Sequence, residues 1–169
     1  MTKFDNLQHL AKDYGNRSIT QSFESKRLGH EIIDRLPDFL GCDKANVRAI
    51  PPHGPISTEG GHNDAAFSTY GQRLLNLQPI EMGVGLRLND LEGDGYSMLR
   101  SIVSMSLKSD GFSVAVGSSE DTVKVSLDFK EGMHRLLNQI CLDFEGLFQP
   151  DLSETERSKG VGFHLPSNP

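Results

Sequence analysis

The chain has 169 residues, a formal net charge of −6 and 36% hydrophobic residues without tryptophan, and its pI is near 5.5. That length suits one core, expected over residues 1–150 with a polar, mobile tail at 151–169. The acidic balance, with no offsetting Lys/Arg run, disfavours nucleic acid and anionic membrane surfaces as partners. Neither Cys42 nor Cys141 belongs to a CxxC pair, and "MTKFDNLQHLAKDYG" has no apolar core of signal-peptide length. A cytoplasmic protein is expected. The sequon Asn16-Arg17-Ser18 is background in that setting.

Phe4, Leu7, Leu10, Ala11 and Tyr14 recur at three- and four-residue spacing, which predicts a short amphipathic helix. Thr2 and Asp5 have the spacing of a capping box, and Gly15 is placed to end the helix. A second helix is expected from Ser18, with Leu28, Ile32 and Leu36 as its stripe, Pro37 as its stop or kink, and a last turn closed by Gly41. Residues 43–63 carry little periodicity beyond a short strand at "NVRAI". "DAAFSTYGQRLL" has the spacing of a short helix, weakened by Gly71.

Residues 80–129 alternate with the period of half-buried strands: Met82–Leu88, Val103–Leu107, Phe112–Val116 and Val123–Phe129. With turns at "SDG" and "GSSED", this predicts a four-stranded antiparallel meander. "YSMLRSI" fits either strand or helix. A long C-terminal helix follows, with a broad apolar face from Phe129 to Phe148, Asp128 and Glu131 as its capping pair and Pro150 as its stop. It should pack on the apolar face of the sheet. In the tail, "VGFHL" has the character of an edge strand. The fold class is therefore α+β.

The standard catalytic motifs are missing: there is no P-loop, HExxH, CxxC or helix-opening GxGxxG. "GFSVA" at 111–115 approaches a nucleophile elbow, but Ser113 falls inside a strand. "DLEGDGYSMLRS" at 90–101 has calcium-loop spacing at Asp90, Glu92, Asp94 and Gly95, yet Ser101 stands where a bidentate Glu is needed, so it reads as an acidic turn. His9, His30 and His134 read as exposed helix positions.

Two features remain. The loop "IPPHGPISTEGGHNDAA" holds His53, Glu59, His62 and Asp64, whose nitrogens and oxygens suit a divalent metal or a general base, although their spacing fits no fixed geometry. Opposite the apolar face of the sheet lie Gly83, Gly85, Ser104, Ser106, Ser113 and Ala115, small residues that let another surface approach. The N-terminal helices or a second subunit are the expected occupants.

Without a catalytic set, the residues point to a non-enzymatic protein-interaction module (an adaptor, chaperone-like binder or inhibitor) that forms a homodimer and needs no cofactor. The alternatives are a metal-assisted or acid–base hydrolase built on residues 51–64, and a small-ligand binder with a cavity of several hundred cubic ångströms between helices and sheet.

Overall fold

A computed structural model describes residues 1–56, 62–89, 93–149 and 161–164. Helix α1 (Lys3–Leu40) leads into a 3-10 turn at Lys44–Asn46 and strand β1 (Val47–Ile50). Strands β2 (Ile80–Asn89), β3 (Tyr96–Lys108), β4 (Gly111–Val116) and β5 (Thr122–Val125) follow, then helix α2 (Met133–Gly146) and strand β6 (Val161–His164). All pairings are antiparallel, in the order β1-β2-β3-β4-β5. Strand β6 also pairs with β3, over Tyr96–Leu99. Among the described residues no helix is long and apolar enough to cross a membrane.

The meander is present, and the sheet is wider than four strands because β1 and β6 add to it. Both additions come from segments of strand character, "NVRAI" and "VGFHL". The ambiguity at "YSMLRSI" resolves to strand, since Tyr96–Met105 pair residue for residue with Asn89–Ile80. A helix there would leave the edge of β2 unpaired in the interior.

The N-terminus departs from expectation. It forms one helix of 38 residues, not two, and spans about 57 Å at 1.5 Å per residue. The capping box does form: the Asp5 amide donates to Thr2 Oγ1 at 3.1 Å and the Thr2 amide donates to Asp5 Oδ2 at 2.7 Å. These bonds hold the Asp5 carboxyl below the usual carboxylate range. Gly15 lies inside the helix, and Ser18 donates its hydroxyl to the Tyr14 carbonyl at 2.9 Å instead of starting a new cap. The physical reason is continuity: Phe4, Leu7, Ala11, Tyr14, Ser18, Gln21, Ser25, Leu28, Ile32 and Leu36 keep one face in register across the glycine. Pro37 sits in the last turn, and Gly41 ends the helix in a left-handed conformation, with φ of 69°.

Because nothing lies within 4 Å of a Cβ built on Gly15, Gly15→Ala is expected to stabilise the helix by about 0.5–1 kcal/mol. Far-UV circular dichroism through a thermal melt checks this. A loss of helix would mean that Gly15 acts as a terminator.

Helix α2 is shorter than the apolar pattern suggests, at 14 residues. Phe129 precedes it in a left-handed conformation with φ of 59°. Asp128 and Glu131 belong to the turn before the helix: Ser126 donates to Asp128 Oδ1 at 2.6 Å, and the Ser126 amide donates to the Glu131 carbonyl at 3.0 Å. Gly132 takes the N-cap position without a side-chain cap. "DAAFSTYGQRLL" gives only a 3-10 turn at Asn63–Ala66. Phe67 instead forms a bridge to Met82 on β2 and is buried.

Both helices cover the same face of the sheet. Leu28, Ile32 and Leu36 of α1 and Leu136, Leu137, Ile140 and Phe144 of α2 share one core with Met82, Val84, Val103, Met105, Val114 and Val125. Gly29 permits the close approach of α1, since a Cβ there would lie 2.7 Å from the Phe67 ring and 2.8 Å from Met82 sulfur.

Candidate functional site

The loop after β1 scatters the candidate ligands. His53 Nε2 lies 2.6 Å from Glu81 Oε2 on β2. Asp64 pairs instead with Lys26 of α1, at 3.3 Å. The Nε2 of His62 is buried without a hydrogen-bond partner. Glu59 lies outside the described residues, as do Asp90 and Glu92 of the acidic turn. Among the described residues no three His, Cys, Asp or Glu side chains come together to hold a metal. Both thiols are pushed up by burial, with Asp43 adding to the effect at Cys42 and Glu145 at Cys141, which disfavours their thiolates.

The small residues of the sheet do share a face. The register sets Gly83 opposite Ile102, Gly85 opposite Arg100, Ser104 opposite Ala115 and Ser106 opposite Ser113. The N-terminal helix does not pack there, because α1 takes the apolar face with α2. Part of the small-residue face is covered from within the chain. After Ile50 the backbone folds over β2, so that a Cβ on Gly83 would lie 2.6 Å from the Ile50 carbonyl oxygen and 2.8 Å from that of Pro51. At Gly85 the neighbour is the Ile50 side chain, at 3.1 Å. Ile50 and Met98 are buried on this face, apart from the main core. Ser104, Ser106, Ser113 and Ala115 remain half-buried.

Two charged groups alternate onto this face with the small residues: Lys124 pairs with Asp110, and the Arg87 guanidinium stacks 4.1 Å from the Tyr96 ring centroid. A third was not anticipated. Arg100 is only 9% exposed and reaches the crossing chain, donating through Nη1 to the Gly54 carbonyl at 2.9 Å and the Pro51 carbonyl at 3.4 Å. Once Tyr96–Lys108 is read as a strand, Arg100 alternates with Ile102, Ser104 and Ser106 onto the small-residue face. The helix–strand ambiguity of this stretch hid that signal.

Arg100 lines a cleft of about 1420 Å³. The cleft opens where the edge of β3 passes from β4, paired from Val103 onward, to β6, paired up to Leu99. Its walls are the crossing chain at Pro52–Ile56, the end of β4 and one side of α2, including Leu142, Asp143 and Leu147. Asp143 accepts the hydroxyl of the fully buried Ser101 at 2.6 Å. A Cβ on Gly117 would collide with that carboxylate, so glycine there lets the end of β4 approach α2.

A second exposed feature lies at the other end of the molecule. No residue of α1 before Ser18 is buried. The expected stripe is formed there, with Phe4 67%, Leu7 63%, Leu10 57% and Tyr14 41% exposed. Among the described residues only Tyr14 of this stripe is anchored, its hydroxyl accepting from the Leu77 amide at 3.0 Å.

Comparison with known proteins identifies no relative: no family model, curated protein or solved structure matches the chain.

Proposed function

We propose that the protein is a non-enzymatic interaction module that pairs with a second copy of itself through the first turns of α1. One observation carries this reading: four large apolar side chains, Phe4, Leu7, Leu10 and Tyr14, stand in solvent on one face of a capped helix that projects beyond the core. Soluble chains rarely leave such a contiguous stripe uncovered.

The spacing favours a copy of the same helix over an unrelated surface. Phe4, Leu7, Ala11 and Tyr14 repeat in steps of three and four, the pattern of a coiled-coil seam. In an antiparallel pair the layers match Phe4 with Tyr14 and Leu7 with Ala11, a large residue against a small one, while the two copies of Leu10 flank the twofold axis, which falls level with position 9. Each helix then fills the free length beside the other and stops where the partner's core begins. Lys3 and Arg17 are the like charges brought near each other, at the exposed ends, where long side chains extend into water at little cost. The stripe offers on the order of 500 Å² per protomer, or roughly 1,000 Å² in the pair, the lower bound for a specific interface. The expected complex is therefore reversible at micromolar concentration.

Light scattering of the full chain from 1 to 100 micromolar (about the range such an interface implies) is expected to show twice the monomer mass at the upper end. A monomer mass throughout that range would end this reading.

A further inference from the structure

Arg100 presents a separate problem. Its two hydrogen bonds go to neutral carbonyls, and among the described residues it has no carboxylate partner. Burial accordingly lowers its pKa, with no opposing charge to offset that cost. A guanidinium removed from water without a counter-charge is expensive, and folded chains rarely retain one for packing alone. Among the described residues Nε and Nη2 carry N–H donors with no partner, and neither is sealed away from solvent.

The cleft that Arg100 lines is wide and partly apolar, with Pro55, Ile56, Ile102, Leu142, Leu147 and Val161 on its walls. Among the described residues the other ionisable groups on the lining are His53, already paired with Glu81, and Asp143, which receives Ser101 from the α2 side. The positive end thus lies beneath the crossing chain and the negative end on α2, so an anion is drawn to one end only. A flat guanidinium with free donors on one edge suits a carboxylate, which it can hold by two parallel hydrogen bonds.

We infer that this cleft binds an apolar molecule by its carboxylate head, with Arg100 as the counter-ion and the crossing chain at Pro51–Gly54 holding Arg100 in place. The chemistry is shared by a free aliphatic acid and by the C-terminal carboxylate of an apolar peptide. This site lies on a different part of the fold from the α1 stripe and does not depend on the pairing.

Calorimetric titration with decanoate against decanol, and with an apolar heptapeptide bearing a free or amidated C-terminus, tests the inference and separates the two sources. At least one carboxylate ligand is expected to bind ten times or more tighter than its neutral counterpart. Decanoate alone would identify a free acid, the peptide alone a chain terminus, and both the shared head group. Arg100→Gln should abolish the preference, and Arg100→Lys should retain part of it. Binding of neither carboxylate ligand would overturn the proposal, as would equal binding of neutral and charged partners by the wild-type protein. The latter comparison needs no variant to fold. A preference that survives in Arg100→Gln would overturn it as well.

Discussion

Leu7→Lys combined with Leu10→Lys is expected to convert the protein from a dimer to a monomer. The two leucines are 63% and 57% exposed in the single chain, so the substitutions remove no intramolecular packing on the core side. In the antiparallel pair they become central, and each dimer loses four buried leucines. At about 1.5–3 kcal/mol per buried leucine side chain, the loss is on the order of 6 kcal/mol or more, over ~10⁴-fold in dissociation constant. Like charges brought together at the twofold axis add to it. Light scattering should report the monomer mass at every accessible concentration, with near-UV circular dichroism unchanged. A variant that keeps the dimer mass would move the interface away from α1, and the half-buried serine face of the sheet would be the next surface to test. Because the helix projects before its first buried residue, Ser18, removal of residues 1–13 should give the same monomer with the sheet intact.

Gly83→Ala is expected to be strongly destabilising and Gly85→Ala nearly neutral, although both lie on the same face of β2. At Gly83 a methyl group would meet the backbone oxygens of Ile50 and Pro51 at 2.6 and 2.8 Å, and backbone cannot rotate aside. Relief requires lifting the end of β1 and the crossing chain, which disturbs the Ile50–Gly83 pairing and the carbonyls that hold Arg100. Overpacking of this kind costs about 1–3 kcal/mol; at about 2–4 °C per kcal/mol for a domain of this size, the melting temperature should fall by roughly 2–12 °C. At Gly85 the contacts are with the side chain of Ile50 at 3.1 and 3.2 Å, which can give by a few tenths of an ångström. Paired thermal melts check this. Equal melting temperatures for the two variants would mean that the crossing chain does not press on β2. The carboxylate ligands of Arg100 should also bind Gly83→Ala more weakly than Gly85→Ala, because the loop and the arginine are coupled.

The strands of the meander were legible because each faces an apolar core on one side and small or polar groups on the other, a period of two that Met82–Leu88 and Phe112–Val116 display directly. The amphipathic face of α2 was legible for the same reason at a period of 3.6. The break expected at Gly15 was not real, since one glycine costs about 1 kcal/mol in a helix, too little to outweigh a stripe continuous on both sides. Residues 62–79 could not be read from periodicity, because their form is set by contacts outside themselves, such as Phe67 against Met82 and Gly29.

The candidate sites divide along the same line. By itself the sequence determined an acidic α+β chain, its strand alternation, a capped apolar stripe at the N-terminus and a row of small residues on one sheet face. These follow from residue type and spacing, which act locally. Only the tertiary structure decided that α1 runs past its own core, that β1 folds back over Gly83, and that His53 and Asp64 turn to Glu81 and Lys26 instead of to each other. It also decided that Arg100 lies beneath a loop about fifty residues earlier in sequence, at the mouth of a cleft between β4 and β6. Such long-range approaches are selected by the closing of one core, where burial of the whole chain outweighs the preference of any short segment.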